Sequence, residues 1–144
     1  MIRDRAWLAA HLPHHGAMCL LDAVEHCDPQ RIVCTATSHA RSDNPLRRDR
    51  RLGIAIGVEY AAQAMAAHGA MLGGGERPRV GYVASVRSLE LFATRLDREA
   101  ALQVVAERLS GDDATVLYRF EVGAAGECLL RGRATVVLRA GAAR

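Results

Sequence analysis

The sequence contains no lysine: all nineteen of its basic residues are arginine. That absence excludes a Schiff-base lysine, a Walker-type phosphate lysine and a Ser–Lys dyad. Uniform use of Arg is also what a nucleotide bias in the genome would produce, so it removes mechanisms without choosing one. Aromatic residues are scarce, 4% of a chain that is 50% hydrophobic, so a core must be built mainly from Ala, Val and Leu. No apolar run is long enough to cross a bilayer. Residues 1–7 alternate in charge and lack the apolar stretch of a secretion signal, so a cytoplasmic protein with no membrane partner is expected. The net charge of +3, with so few aromatics beside it, gives no footing for nucleic acid. Cys19, Cys27, Cys34 and Cys128 include no C-x-x-C pair and read as reduced thiols, with Cys34 and Cys128 in apolar runs. His14, His15, Cys19, His26 and Cys27 are close in sequence but follow no recognised ligand spacing, and no metal is expected.

What is present fits one domain over residues 1–144, long enough to bury a real core and undivided by repeats or linkers. Residues 3–11 read as a short amphipathic helix stopped by Pro13. Residues 18–24 and 31–38 read as strands joined by a turn at Asp28-Pro29. An irregular loop follows from Ser42, carrying Arg47, Arg48, Arg50 and Arg51. Residues 54–72 are apolar nearly all the way round, dense in Ala, and ended by Gly73-Gly74-Gly75. A helix without a polar face is a buried helix, and small side chains let a sheet approach it closely. Residues 80–92, 101–109, 115–122 and 128–138 then read as strands separated by short turns, which implies an antiparallel sheet. The layout is α+β, one buried helix followed by a run of strands that wraps it.

Glu59 stands out on this helix as the only acid between Asp49 and Glu76. Burying a carboxylate costs several kcal/mol unless it is paired or neutral, so burial would raise its pKa and equip it as a general acid. The alternative is a structural Glu hydrogen-bonded at a subunit interface. Gln63, one turn on, shares its face and is placed to orient it, or serves as an interface amide. His68 reads as a core or interface histidine. Backbone N–H groups near Gly53 and Ile54, at the start of the helix, suit a thioester oxyanion. Arg47 and Arg48 suit a phosphopantetheine phosphate or an acidic carrier protein, or else belong to a solvated loop.

Two stretches carry a resemblance. Residues 12–24, Leu-Pro-His-His-Gly-Ala-Met-Cys-Leu-Leu-Asp-Ala-Val, resemble the "LPHR…LLVDRV" opening of the 3-hydroxyacyl-carrier-protein dehydratases of fatty acid synthesis. Residues 57–64, Gly-Val-Glu-Tyr-Ala-Ala-Gln-Ala, resemble their "LEAMAQA" helix, with Glu59 on the catalytic acid and Gln63 on its companion. The likeness covers nearly the whole chain. It is greatest to the dehydratase-like proteins encoded with aryl-polyene pathways, whose "PH-GAM-LLD", "SH…NPLR", "GVEYAAQAMA-HG" and "ASVR" patterns are met at residues 14–22, 38–47, 57–69 and 84–87. The resemblance implies a hot-dog fold, a homodimer or heterodimer with sites at the subunit interface, and an acyl carrier protein as partner. It also implies a reaction, loss of water from a 3-hydroxyacyl thioester to give a trans-2-enoyl thioester. There a histidine takes the α-proton, the helix acid protonates the departing hydroxyl, and backbone N–H groups hold the thioester oxygen. No metal or redox cofactor is required, since the acyl group arrives on phosphopantetheine.

The sequence departs from that family in two respects. The "GHFP" loop that carries the catalytic histidine is replaced by residues 44–52, which contain none, and the "PGV" before the helix is missing. His14 or His39 could stand in for the lost histidine. A second hot-dog subunit could supply it. Glu59 could act alone on water, as in hot-dog thioesterases. A fourth reading makes the chain a non-catalytic partner.

Overall fold

The computed structural model describes residues 1–13, 16–73 and 80–139. Helix α1, Arg5–His11, starts where the Asp4 side chain accepts the Trp7 N–H at 2.9 Å, an N-cap that satisfies one of the helix's open donors. Helix α2, Gly57–Leu72, is entered through a 3-10 turn at Ile54–Ile56. The strands are β1 Ala23–Cys27, β2 Arg31–Ala36, β3 Val80–Leu91, β4 Leu102–Gly111, β5 Thr115–Ala124 and β6 Glu127–Arg139. They form one six-stranded sheet in the order β1-β2-β4-β5-β6-β3, every pairing antiparallel. This is the helix-on-sheet arrangement of the hot-dog fold.

Alternation explains which way each strand faces. Along β5, Val116, Tyr118, Phe120, Val122 and Ala124 are buried while Thr115, Arg119 and Glu121 face water, the period of two that a half-covered sheet requires. Tyr60, Ala61, Ala64 and Ala67 of α2 join Ile32, Val104, Phe120 and Leu130 of the sheet in one core. Cys19 and Cys34 are buried in it, all four cysteines are free, and burial pushes the Cys34 thiol up to about 12. No helix among the described residues is long and apolar enough to cross a membrane.

The helix is not covered all the way round within one chain, contrary to the expectation from its composition. Its sheet-facing side is buried, but Val58, Ala62, Ala66, Ala70 and Met71 are only half-buried, and Glu59, Gly69 and Leu72 are exposed. The physical reason is that an all-apolar helix can owe its composition to two covers, and one chain supplies one. A second uncovered element is β3, which among the described strands is bonded only to β6 and bears exposed Val86, Leu89, Leu91 and, just beyond it, Phe92. A register shift falls between Arg87 and Glu90, where Ser88 takes φ 53°, a bulge that bends the edge.

The first strand also starts later than its apolar run suggests, at Ala23 rather than residue 18. Residues 16–18 form a 3-10 turn. The Leu20 N–H and the Met18 carbonyl are taken by the Gln63 side chain, at 2.8 Å and 2.6 Å, not by a neighbouring strand.

Gly57 fixes how closely α2 enters the sheet. A Cβ built there would lie 2.5 Å from Leu130 Cδ2 and 2.9 Å from Cδ1, and Leu130 is fully buried. Gly57→Ala improves helix propensity by about 1 kcal/mol at most, whereas overpacking typically costs about 1–3 kcal/mol. The variant should therefore be less stable in urea denaturation. A variant at least as stable as the parent would show that Leu130 has room to move.

Candidate active site

Glu59 lies in the first turn of α2, with its side chain open to solvent in the single chain. The dry environment expected for it is not supplied by its own sheet, because it sits on the uncovered side of the helix. No hydrogen bond or ion pair joins it to another described side chain. Its neighbour Tyr60 points the other way, into the core.

Tyr60 anchors a buried polar network that the sequence reading did not single out. The Ser38 and Tyr60 hydroxyls meet at 2.9 Å, and Ser38 donates to the Leu20 carbonyl at 2.7 Å. Asn44 Nδ2 donates to the Ser38 carbonyl at 2.9 Å and to the Tyr60 hydroxyl at 3.1 Å, while its Oδ1 accepts the Leu46 N–H at 2.8 Å. Burial raises the Tyr60 pKa, so the phenol stays protonated. Asn44 occupies the stretch where the related dehydratases carry their histidine. Here that position holds a loop against α2. The signal available in the sequence was the "SH…NPLR" stretch, whose Ser38 and Asn44 are the two ends of the network.

His39 is fully buried. Its Nε2–H donates to the Ala100 carbonyl at 2.8 Å, and its Nδ1 is enclosed with no hydrogen-bond partner among the described residues. Burial lowers its pKa, so the ring is neutral, and no part of it is presented to Glu59 or to solvent. His14, the other candidate, lies outside the described residues. His68 is also buried and neutral, its pKa lowered by burial. Its Nε2–H donates to the Asp28 carbonyl at 2.7 Å, leaving Nδ1 to accept from the Tyr118 hydroxyl at 2.8 Å. Gln63 shares the helix with Glu59, but both ends of its amide are committed to the backbone of Met18 and Leu20.

The loop arginines divide. Arg47, expected as a phosphate ligand, is a strut: it donates to the carbonyls of Arg41 at 2.7 Å, Arg50 at 3.0 Å and His39 at 3.3 Å, and lies 3.4 Å from Asp97. Asp97 is nearly buried, and the Arg95 guanidinium, 2.6 Å away, holds its carboxyl well below the usual range. Three carbonyls and a shared carboxylate leave Arg47 no free fork. Arg48 is exposed, its guanidinium donating to the Arg47 carbonyl at 3.3 Å. Gly53 is exposed at the head of the helix, but Ile54, expected as an oxyanion donor, gives its N–H to the Thr94 carbonyl at 3.1 Å. The strand-like bridge between Gly53 and Arg95 takes it. A cleft of about 370 Å³ opens beside the polar network, lined among others by Arg5, Asp22, Thr37, Ser38 and Asn44. Thr37 donates to Asp22 there at 2.6 Å, with Arg5 3.5 Å away. Glu59 is not on its wall. Among the described residues no three His, Cys, Asp or Glu side chains converge as a metal-holding group.

Two outcomes follow from this geometry. Gln63→Met keeps the shape but strands the buried Leu20 N–H, at about 1–3 kcal/mol, and frees the part-buried Met18 carbonyl, so its urea midpoint should fall below that of the parent; an unchanged midpoint would show the amide to be dispensable. His39 and His68 are neutral when folded and titrate below the ordinary imidazole value of about 6.5. The unfolded chain therefore binds more protons below that value, and stability should drop as pH falls from about 7.5 to about 5.5. His68→Gln should flatten part of that fall, and an equal slope in the variant would assign it to other groups.

Comparison with known proteins agrees with the fold. The family described as ApeP-like, ApeP dehydratase, matches residues 7–143. No curated protein matches the chain. The dehydratase heterocomplex ApeI:P from Xenorhabdus doucetiae is similar in structure, with a TM-score of 0.80 at 19% identity over 92% of this chain and 90% of that one. AziG from S. sahachiroi gives a TM-score of 0.57 at 23% identity over 83% and 91% of the two chains. A mutant thioesterase from Pseudomonas aeruginosa gives 0.65 at 16% identity over 96% and 97%. Since the family match spans residues 7–143, the chain belongs to the ApeP-like family of hot-dog, dehydratase-like proteins.

Proposed function

We propose that this chain is one half of a dehydratase for 3-hydroxyacyl thioesters, in which Glu59 is the proton donor and the histidine comes from a second hot-dog subunit. The observation that carries this reading is the position of Glu59: first turn of α2, on the uncovered side of the helix, among half-buried Val58 and Ala62. The free β3 edge and its exposed Val86, Leu89 and Leu91 offer the second subunit its seat. A subunit placed there would exclude water from Glu59 and bring the carboxyl against the bound acyl chain, where a proton donor is needed. The heteromeric dehydratase from Xenorhabdus doucetiae, similar in fold, supports a partner that is a different chain.

In the reaction the partner's histidine removes the α-proton, and that electron pair becomes the new Cα–Cβ double bond. The β C–O bond breaks, and the Glu59 carboxyl protonates the departing hydroxide to give water. The proton held on the histidine then returns to the carboxylate through solvent. The positive N-terminal end of α2 lies beside Glu59 and favours negative charge on the thioester oxygen. The substrate class is an acyl chain on the phosphopantetheine of an acyl carrier protein, and the chemistry requires no metal or redox cofactor.

The test is a product assay by mass spectrometry on a 3-hydroxyacyl thioester, with the chain alone and with a candidate hot-dog partner. The complex should yield enoyl thioester. Glu59→Gln, nearly equal in volume, should lower the rate by about 10²–10⁴, the usual worth of a general acid. Free acid and thiol instead would identify a thioesterase. Undiminished turnover in the Glu59→Gln complex would make the chain a scaffold.

A further inference from the structure

The outer face of the sheet, turned away from α2, carries a row of charged side chains in register. Arg87 of β3 stands opposite Arg133 of β6, Arg133 opposite Arg119 of β5, and Arg119 opposite Glu107 of β4. Like charges directly across neighbouring strands oppose folding. Arg119 has its counter-charge, donating to Glu107 at 2.9 Å. Arg87 and Arg133 form no ion pair among the described residues. The acids nearest in register are Glu90 and Glu121. Glu90 is held by Arg131 at 2.9 Å, and Glu121 stands opposite that same Arg131.

Arg87 and Arg133 wall a cleft of about 320 Å³ whose remaining lining is Thr115, Leu117 and Thr135. Two guanidinium forks and two hydroxyls, with no acid among the lining residues, present donors from several directions. A carboxylate offers two oxygens in one plane. A phosphoryl group offers three around a tetrahedron, and guanidinium groups grip it in bidentate fashion. Arg87 also ends the Ala-Ser-Val-Arg stretch at residues 84–87, and the chemistry at Glu59 on the other face leaves it without a task. A bare row of arginines costs the fold something, and a bound anion removes that cost.

We propose that this cleft is an anion site for a phosphoryl group, with Arg87 and Arg133 as charged ligands and the Thr115 and Thr135 hydroxyls as further donors. The site stands apart from the reaction assigned to Glu59. Free phosphate and the phosphate of a pantetheine arm share this chemistry, and the test separates them.

Thermal unfolding of the whole protein in its native assembly is followed while inorganic phosphate replaces chloride at constant ionic strength. The site requires a Tm that rises with phosphate, as binding to the folded state alone dictates. Arg133→Gln and Arg87→Gln should abolish the rise, and Arg98→Gln, on the loop between β3 and β4, should keep it. In low salt without phosphate, Arg133→Gln should unfold at a higher temperature than the parent, because the like-charge row is relieved. With 4′-phosphopantetheine as the probe, half-saturation below that of inorganic phosphate would assign the arm as the source, and equal half-saturation would show that the phosphoryl group alone is read. A Tm that follows ionic strength regardless of the anion would overturn the proposal. So would a wild-type phosphate response in both arginine variants.

Discussion

The contact of an alanine-rich helix with a sheet at close range governs this molecule. Gly57 leaves no space between α2 and Leu130, and Ala61, Ala64 and Ala67 continue the same close approach along the core. Small side chains bury little area each, so the helix needs a broad sheet beneath it and gains little by standing alone. Its opposite side is built of equally small residues, Ala62, Ala66 and Ala70. That side is shaped for a second close approach, and Glu59 stands on it.

The loop before the helix is fixed to it by polar groups inside the core. Ser38, Asn44 and Tyr60 tie residues 38–46 to α2 through hydrogen bonds that are all buried. Arg47 and Asp97 tie the rest of the loop to the segment after β3. A buried polar network of this kind is rigid when every member is satisfied. The loop thus gains its order from Ser38 and Asn44, which the helix residue Tyr60 holds in place.

Much of the fold was legible in the sequence, for identifiable reasons. Short turns marked off the last four strands, and an apolar, glycine-ended run marked α2, because turn chemistry and burial leave signals that survive without coordinates. The start of β1 was not legible. An apolar segment looks like a strand whether its backbone bonds to another strand or to a side-chain amide, and only the distant Gln63 decides. The exposure of Glu59 was hidden for a related reason: apolar neighbours indicate that a cover exists, not which chain provides it. Arg47 looked ready for an anion because a run of arginines reads the same in solution or bonded to carbonyls. The three carbonyls that occupy it come from loop geometry, which leaves no periodic trace.

The strand order has a consequence for how the chain is made. β3 follows α2 directly in sequence, yet its only neighbour in the sheet is β6, the last strand. Leu130, against which the helix begins, also belongs to β6. A growing polypeptide can pair β1 with β2, and β4 with β5, as each emerges. Neither the helix's starting point nor the edge strand finds its seat until the final strand has cleared the ribosome. Completion of the sheet is thereby deferred until β6 has been made, with long-range contacts closing last and β3 waiting in the meantime.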